Sequence, residues 1–474
     1  MSTARPSTLP QARMRKPSAC VSRRRCRRTS GSVPPTWRAM AFLLYDLLLL
    51  AATLVLLPWY LLRRSIGGKA RQGLRERLGG NPGGRFKHDP SRPLIWVHAV
   101  SVGETRAAIP LLRELKASFP EARLVLSSVT ETGRAIAEGI AEVDELIYFP
   151  VDLSFVVRRV LARLRPTLIV IVETEIWPNF VRAAGTAGIP VVLVNGRISD
   201  RSFPRYLRLR PLLRPVLAQI GRFCMQSVVD GERIAALGAP PEYILVTGNI
   251  KYDMAYAAAA ADRAALRQNY RLPEQVPVWV AGSTHAGEEE AVLRIYRQLL
   301  AAGREVLLVL VPRHPQRFAA VAAVLAAQQF SFVRRSQLSA TTPLLAPGSV
   351  LLGDTLGEML HLYAAADVVF VGGSLVPTGG HNILEASLVH RPVLFGPHMQ
   401  NFREIAARVG SAAAGIQVAD EAELLAALAQ LLAAPEEAAA MGERGFAFLK
   451  ENAGATAATV AALRPLYQAR AEHV

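Results

Sequence analysis

Cysteine is scarce in this 474-residue chain: Cys20, Cys26 and Cys224 are its whole complement. Three scattered thiols cannot build a disulfide framework, and no His or Cys cluster has metal-ligand spacing. A reducing compartment is therefore expected. No Asp-x-Asp pair suited to a divalent cation stands out, so no essential metal is expected either. Acidic residues are missing from the first 39 positions, which hold ten Lys or Arg. The formal net charge of +17 thus falls to +7 for the remainder. Rich in Arg, Ser, Pro and Thr, these 39 residues cannot bury enough apolar surface to order themselves. They are expected to be disordered. Such a tail can hold nucleic acid through phosphate charge alone. The preferred reading has no nucleic-acid partner and a start at Met40, where a more coherent sequence opens.

Long apolar runs are also few. The one present covers residues 39–62 and suits a single membrane crossing by length. Asp46 and Pro58 interrupt it, Trp59 and Tyr60 fit an interfacial belt, and Arg63, Arg64, Lys69, Arg71 and Arg75 follow. Counted from Met40, positive charge lies on the C-terminal side alone, which places that side in the cytoplasm. The basic, glycine-rich linker at 65–92 is expected to lie against anionic headgroups. No small-residue cleavage site follows the run, which disfavours a cleaved signal peptide. Spanning and interfacial placements of the helix both fit.

From residue 93 the chain alternates strand and helix, the βαβ pattern of a parallel sheet covered on both faces. Strands are expected at 94–99, 123–127, 146–149, 168–173 and 190–194, with a helix over 104–118. The cycle fades near 255–265 and restarts with strands at 276–281, 305–311, 350–352, 367–371 and 392–395. Helical pattern then runs from about 402 to the end. The fold class is α/β, with two Rossmann-like domains behind an N-terminal anchor helix. The expected division is 1–39 extension, 40–64 anchor, 65–258 first domain and 259–474 second domain.

In such sheets ligands sit at the carboxyl ends of strands. The stretch that organises the chain is 372–385, Gly-Gly-Ser-Leu-Val-Pro-Thr-Gly-Gly-His-Asn-Ile-Leu-Glu, between an apolar strand and a helix. Its four glycines allow close approach of a ligand. Asn382 is a suitable N-cap for a helix whose free N–H groups make an anion site. Glu385 is placed to accept from sugar hydroxyls. The alternative is a structural turn with a surface glutamate. After the first strand, His98-Ala-Val-Ser-Val-Gly-Glu104 sets a carboxylate at a helix start, where it can take a proton from a hydroxyl. The bland alternative is a glutamate favoured by the helix dipole. Glu173 and Glu175 end an apolar strand, which is costly unless they are paired or functional. Arg197, Arg201 and Arg205, among hydroxyl residues, suit a phosphorylated or carboxylated partner or form a solvated basic loop. Gly248-Asn249-Ile-Lys251 brings a lysine to the domain junction. Ser283 and Thr284, Pro312 and Arg313, and Thr355, Leu356 and Gly357 stand at further strand ends. With 372–385 they form a plausible nucleotide cradle.

Together the stretches HAVSVGE, ETEIWPN, GNIKYD, GSTHAGEE, VPRHP, GDTLGE and GGHNILEAS, in that order, resemble the 3-deoxy-D-manno-octulosonate (Kdo) transferases of Gram-negative lipopolysaccharide synthesis. The resemblance runs from about Met40 onward and leaves the first 39 residues outside. It implies a GT-B architecture, a first domain that grips the acceptor and a second that grips the nucleotide. It implies transfer of Kdo from CMP-Kdo, a donor substrate rather than a cofactor, onto a lipid A precursor. The setting implied is the cytoplasmic face of the inner membrane. The general base falls on Glu104, and transition-state-stabilising roles fall on Glu173 and Lys251. CMP-contacting positions fall on Pro312, Arg313, Thr355, Leu356, Gly357, His381, Asn382, Leu384 and Glu385. Competing readings are another GT-B transferase with a different nucleotide sugar, a nucleotide-sugar epimerase, and a non-catalytic membrane-tethered sensor.

Overall fold

The computed structural model describes residues 40, 42–53, 55, 70–80, 92–253 and 262–472. The expectations placed on 1–39 and on the second half of the anchor run lie outside these residues.

Two seven-stranded parallel sheets follow one another along the chain. The first contains β1 (Leu94–His98), β2 (Arg123–Ser128), β3 (Glu145–Tyr148), β4 (Leu168–Val172), β5 (Val191–Gly196), β6 (Arg222–Met225) and β7 (Ile244–Val246). Their order across the sheet is β3-β2-β1-β4-β5-β6-β7. The second contains β8 (Val278–Thr284), β9 (Leu307–Pro312), β10 (Phe332–Arg334), β11 (Val350–Leu352), β12 (Val368–Val371), β13 (Val393–Phe395) and β14 (Ile416–Gln417). Their order is β10-β11-β9-β8-β12-β13-β14.

The central strands β1, β4, β8 and β9 are buried along their whole length. That is why they read as unbroken apolar runs: helices cover both faces and no side points to water. Trp96 and Trp279 lie fully buried at the centres of the two sheets. Each sheet has a switch point where strand order reverses, between β1 and β4 in the first and between β8 and β12 in the second. Crevices for ligands open at such points.

Three expectations change. Strands β6, β7, β10 and β14 were not anticipated, because four residues or fewer at or near a sheet edge carry little pattern. The helix expected over 104–118 is two, Val102–Ala107 and Ile109–Ser118, with Pro110 in the first turn of the second. Proline has no N–H to continue the earlier ladder. The last helix, Ala455–Ala471, lies across the division expected at 258/259. Its Val460, Leu463 and Tyr467 are buried with Leu111, Leu115 and Phe119 in the core of the first sheet. Tyr467 donates to Glu121 at 2.7 Å. Where this helix begins, Asp253 accepts from the Gly454 N–H at 2.7 Å and the Thr456 N–H at 2.6 Å.

The apolar N-terminal segment forms a helix over Phe42–Thr53 that docks on the first domain. Asp46, an interruption in the sequence pattern, is the docking group. It accepts from the Ser154 hydroxyl at 2.6 Å, the Ser154 N–H at 3.1 Å and the Asn179 amide at 2.6 Å. Tyr45 donates to Asp152 at 3.0 Å, and Phe42 packs beneath the Arg182 guanidinium at 4.3 Å. Leu43, Leu44, Leu47 and Leu48 remain exposed. Among the described residues no single helix is long and apolar enough to cross a membrane.

Candidate active site between the two sheets

The first-sheet half of the site is built on the carboxyl ends of β1, β4, β5 and β7. Ser101 caps the helix Val102–Ala107, its hydroxyl accepting from the Glu104 N–H. The Glu104 carboxylate folds back. It accepts from the Val100 N–H at 2.7 Å and the Ser101 hydroxyl at 2.9 Å, and is 7% exposed. Burial pushes this carboxyl up to about 7, the charges of Glu173 and Glu175 adding to the rise and the Val100 N–H opposing it. The result is a carboxylate poised near neutrality, the range in which a general base works best. Burial and the Glu173 charge also raise Glu175.

Glu173 follows β4 at φ +60, a left-handed conformation that costs a non-glycine residue about 1–2 kcal/mol. Its N–H bonds the Val194 carbonyl at 2.8 Å, and its carboxylate meets the Lys251 ammonium at 3.1 Å. Lys251 is held in turn from behind. Asn195, buried at φ +55, accepts from the Ile250 N–H at 3.1 Å; Asn249 donates to Gln226 at 3.1 Å; Gln226 donates to the Asn195 carbonyl at 3.0 Å. Glu104, Glu173 and Lys251 thus share one corner, at the first switch point.

The second-sheet half spans four neighbouring strand ends, β11, β9, β8 and β12. The stretch at 372–385 departs from expectation in its use of amides. Glu288, fully buried, accepts from the N–H groups of Gly373 at 2.6 Å, Ser374 at 2.9 Å and Leu375 at 2.9 Å, and from that of His285 at 3.0 Å. The anion held by this nest is the protein's own carboxylate, so those amides are not available to a phosphate. The helix after it is five residues long, Leu384–Leu388, with Ile383 rather than Asn382 at the N-cap position. Asn382 instead accepts from the Leu384 N–H at 3.2 Å.

Charge for a ligand comes from Arg313. It follows Pro312 at the end of β9 and bonds through its N–H to the Thr284 carbonyl at 2.9 Å. Burial lowers His381 to about 3, with Arg313 the next cause. Its Nε2 lies 2.8 Å from that of His285, and the rings stack. Burial raises Glu385 and Arg313 opposes the rise. Arg106, two residues beyond Glu104, is lowered first by burial and next by Arg313, with Glu385 opposing. Two guanidinium groups from opposite domains thus feel each other's charge, with the Glu385 carboxylate acting on both.

The remaining positions divide. Ser283 is at φ +57 and bonds the buried Tyr363 hydroxyl. Thr284 is fully buried, its hydroxyl pointed at the Val311 carbonyl and Glu289. Leu384 lies in the core, leaving its backbone to the cleft. Thr355 donates to Glu358, which Arg335 also holds, and sits one strand out from β9. Leu356 beside it is 73% exposed, and Gly357 takes φ +85 with open space around it.

Residues 72–254 match the family described as 3-Deoxy-D-manno-octulosonic-acid transferase (kdotransferase). The chain is 37% identical over 402 residues to the 3-deoxy-D-manno-octulosonic acid transferase of Haemophilus influenzae, covering 83% of this chain and 91% of that one. It is 38% identical over 385 residues to that of Bordetella pertussis, covering 78% and 86%. The chain belongs to the Kdo transferase family. A crystal structure of UDP-GlcNAc 2-epimerase from Neisseria meningitidis, bound to UDP-GlcNAc, covers 79% of this chain and 100% of its own with a TM-score of 0.53. At 14% identity that likeness is one of fold, the two-domain α/β architecture. The epimerase alternative thus shares the Kdo transferase's architecture without sharing its family.

Sequence reasoning gave no individual role to Arg106 or Glu288. Arg106 lies two positions beyond a motif already singled out. Glu288 stands in a run of three glutamates, and nothing in that run marks the one that turns inward.

Proposed function

We propose that the protein transfers Kdo from CMP-Kdo to a lipid A precursor, lipid IVA, by a single displacement with inversion and without a metal ion. The observation that carries this reading is Glu104: a buried carboxylate fixed by two hydrogen bonds at the first switch point and poised near pH 7. In the reaction the acceptor hydroxyl oxygen attacks the anomeric carbon and its proton passes to Glu104. The bond from that carbon to the phosphate oxygen breaks, and CMP leaves with the electron pair. Glu173 supports positive charge developing at the anomeric carbon, as carboxylates do in glycoside hydrolysis. Lys251 orients Glu173 through their ion pair at 3.1 Å. The leaving phosphate fits near Arg106 and Arg313, whose charges Glu385 offsets in part. Ser283, Leu356, Gly357, His381, Asn382 and Glu385 line the nucleotide's path, and the backbones of Thr284, Pro312, Thr355 and Leu384 complete it.

The exposed leucines of Phe42–Thr53 support an inner-membrane seat on the cytoplasmic face, where an acyl-chain acceptor is met on one surface. The test is a reconstituted assay with CMP-Kdo generated in situ and a tetra-acylated lipid A precursor, products being weighed by mass spectrometry. The expected product carries added Kdo. Glu104→Ala is expected to abolish transfer while CMP still binds. Turnover by that variant, or use of a different nucleotide sugar, overturns the reading.

A further inference from the structure

Beside Glu173 lies a cavity of about 300 Å³ whose walls come from both domains. Glu173, Glu175, Arg197, Ser202 and Tyr206 line it from the first domain and Arg403 from the second. The Arg403 side chain has no hydrogen bond or ion pair with any described residue. Arg197 reaches Glu404 at 3.5 Å, a distance at which the pair is held by charge and not by a hydrogen bond. The Ser202 hydroxyl accepts from that of Ser199 at 3.0 Å and retains its own proton to donate. The Tyr206 hydroxyl has no hydrogen-bond partner among the described residues. The cavity therefore gathers two guanidinium groups, one weakly engaged and one without a side-chain partner among the described residues, and two hydroxyl donors, opposite carboxylates of which Glu173 is already paired with Lys251.

The cleft holds a second cross-domain arginine pair, Arg106 and Arg313, next to the nucleotide cradle. One donor phosphate does not need both pairs. Arg197 and Arg403 line the same cavity as Glu173 and Glu175, whose charges act on Glu104. An acceptor with a hydroxyl at the carboxylates and an anion at the arginines is fixed in orientation by charge alone.

We propose that this cavity is the acceptor's anion subsite, in which Arg197 and Arg403, with Ser202 and Tyr206, hold a phosphate on the acceptor sugar. The proposal rests on the Kdo-transfer reading for its substrate but not for its binding test. The Arg197–Glu404 pair then acts as a placeholder that the phosphate displaces.

The experiment uses the full-length protein, with a phosphorylated glucosamine disaccharide and its phosphate-free counterpart as probes, followed by calorimetry. Wild type is expected to bind the phosphorylated probe at least tenfold more tightly. Arg197→Gln with Arg403→Gln is expected to reduce that preference to within twofold, while CMP affinity, which reports the fold, stays within twofold. Glu404→Gln, which removes the pair but leaves the arginine, is expected to keep the preference. In transfer assays the double variant raises acceptor KM tenfold or more and leaves donor KM near wild type. A preference that survives the double substitution overturns the proposal. So does its loss in Glu404→Gln, which assigns Arg197 a bridging role. A rise confined to donor KM also overturns it, since the anion is then the donor's carboxylate. Absence of Kdo transfer by wild type, with arginine-dependent binding of the phosphorylated probe intact, defeats the parent function and leaves the subsite standing.

Discussion

Glu104 costs the folded protein something in order to react. Its carboxyl is raised from 4.5 to about 7 by burial, so the folded state binds a proton that the unfolded state releases. Folding is therefore penalised as pH rises from 4.5 to 7, and above 7 the penalty is complete. Its size is on the order of 3 kcal/mol by the usual conversion of a pKa shift. Glu104→Gln should be more stable than wild type at pH 8 in urea denaturation, with the difference shrinking toward pH 5. The same variant should lose about 10²–10⁴-fold in kcat. In wild type kcat/KM should rise with pH through about 7 as the base ionises. Glu288 carries a different burden. Glu288→Ala orphans four N–H groups, and should cost about 3 kcal/mol or more in urea denaturation while weakening CMP binding in a titration. At this scale the sequence offered candidate residues and not what they touch. Glu104, Glu173 and Lys251 stood out as candidates because each stands where an apolar strand or a glycine turn gives way. Glu288 was not, since a run of three glutamates at a helix start satisfies the dipole whichever one turns inward.

The central elements were readable because burial on both faces removes polar residues, as in β4 with its sequence Leu-Ile-Val-Ile-Val. The edges were not, because β14 has two residues and β7 is largely exposed. The helix Ala455–Ala471 was recognisable as a helix, but an apolar stripe does not say which sheet it will cover. Leu463, fully buried on that helix, packs on the first sheet. Leu463→Ala should cost about 2–5 kcal/mol, seen as a lower thermal midpoint for loss of the environment of Trp96. The Phe42–Thr53 helix is the other element whose meaning changed. Asp46 looked like a flaw in a crossing and is a bolt to the first domain. Leu43, Leu44, Leu47 and Leu48, pointing away from it, should govern membrane association. Replacing all four with serine should reduce co-sedimentation with anionic vesicles severalfold, while CMP binding holds.

At the level of the whole molecule, the two switch points face each other, and cationic groups for the leaving phosphate come from both sides, Arg106 and Arg313. Under the proposed function, guanidinium charge supplied in this way takes the part that a divalent ion can play. Transfer should therefore survive chelation by EDTA in the reconstituted assay. A loss restored by adding a divalent cation contradicts this. The chain passes from the first sheet to the second after Asp253 and returns before Ala455, so two peptide threads join the domains. Asp253 ties these threads together through Gly454 and Thr456, two residues from Lys251. A seam stapled at that spot acts as the spine of a book. Were the covers to swing about it, the lysine and its glutamate partner, close to the binding, would travel little.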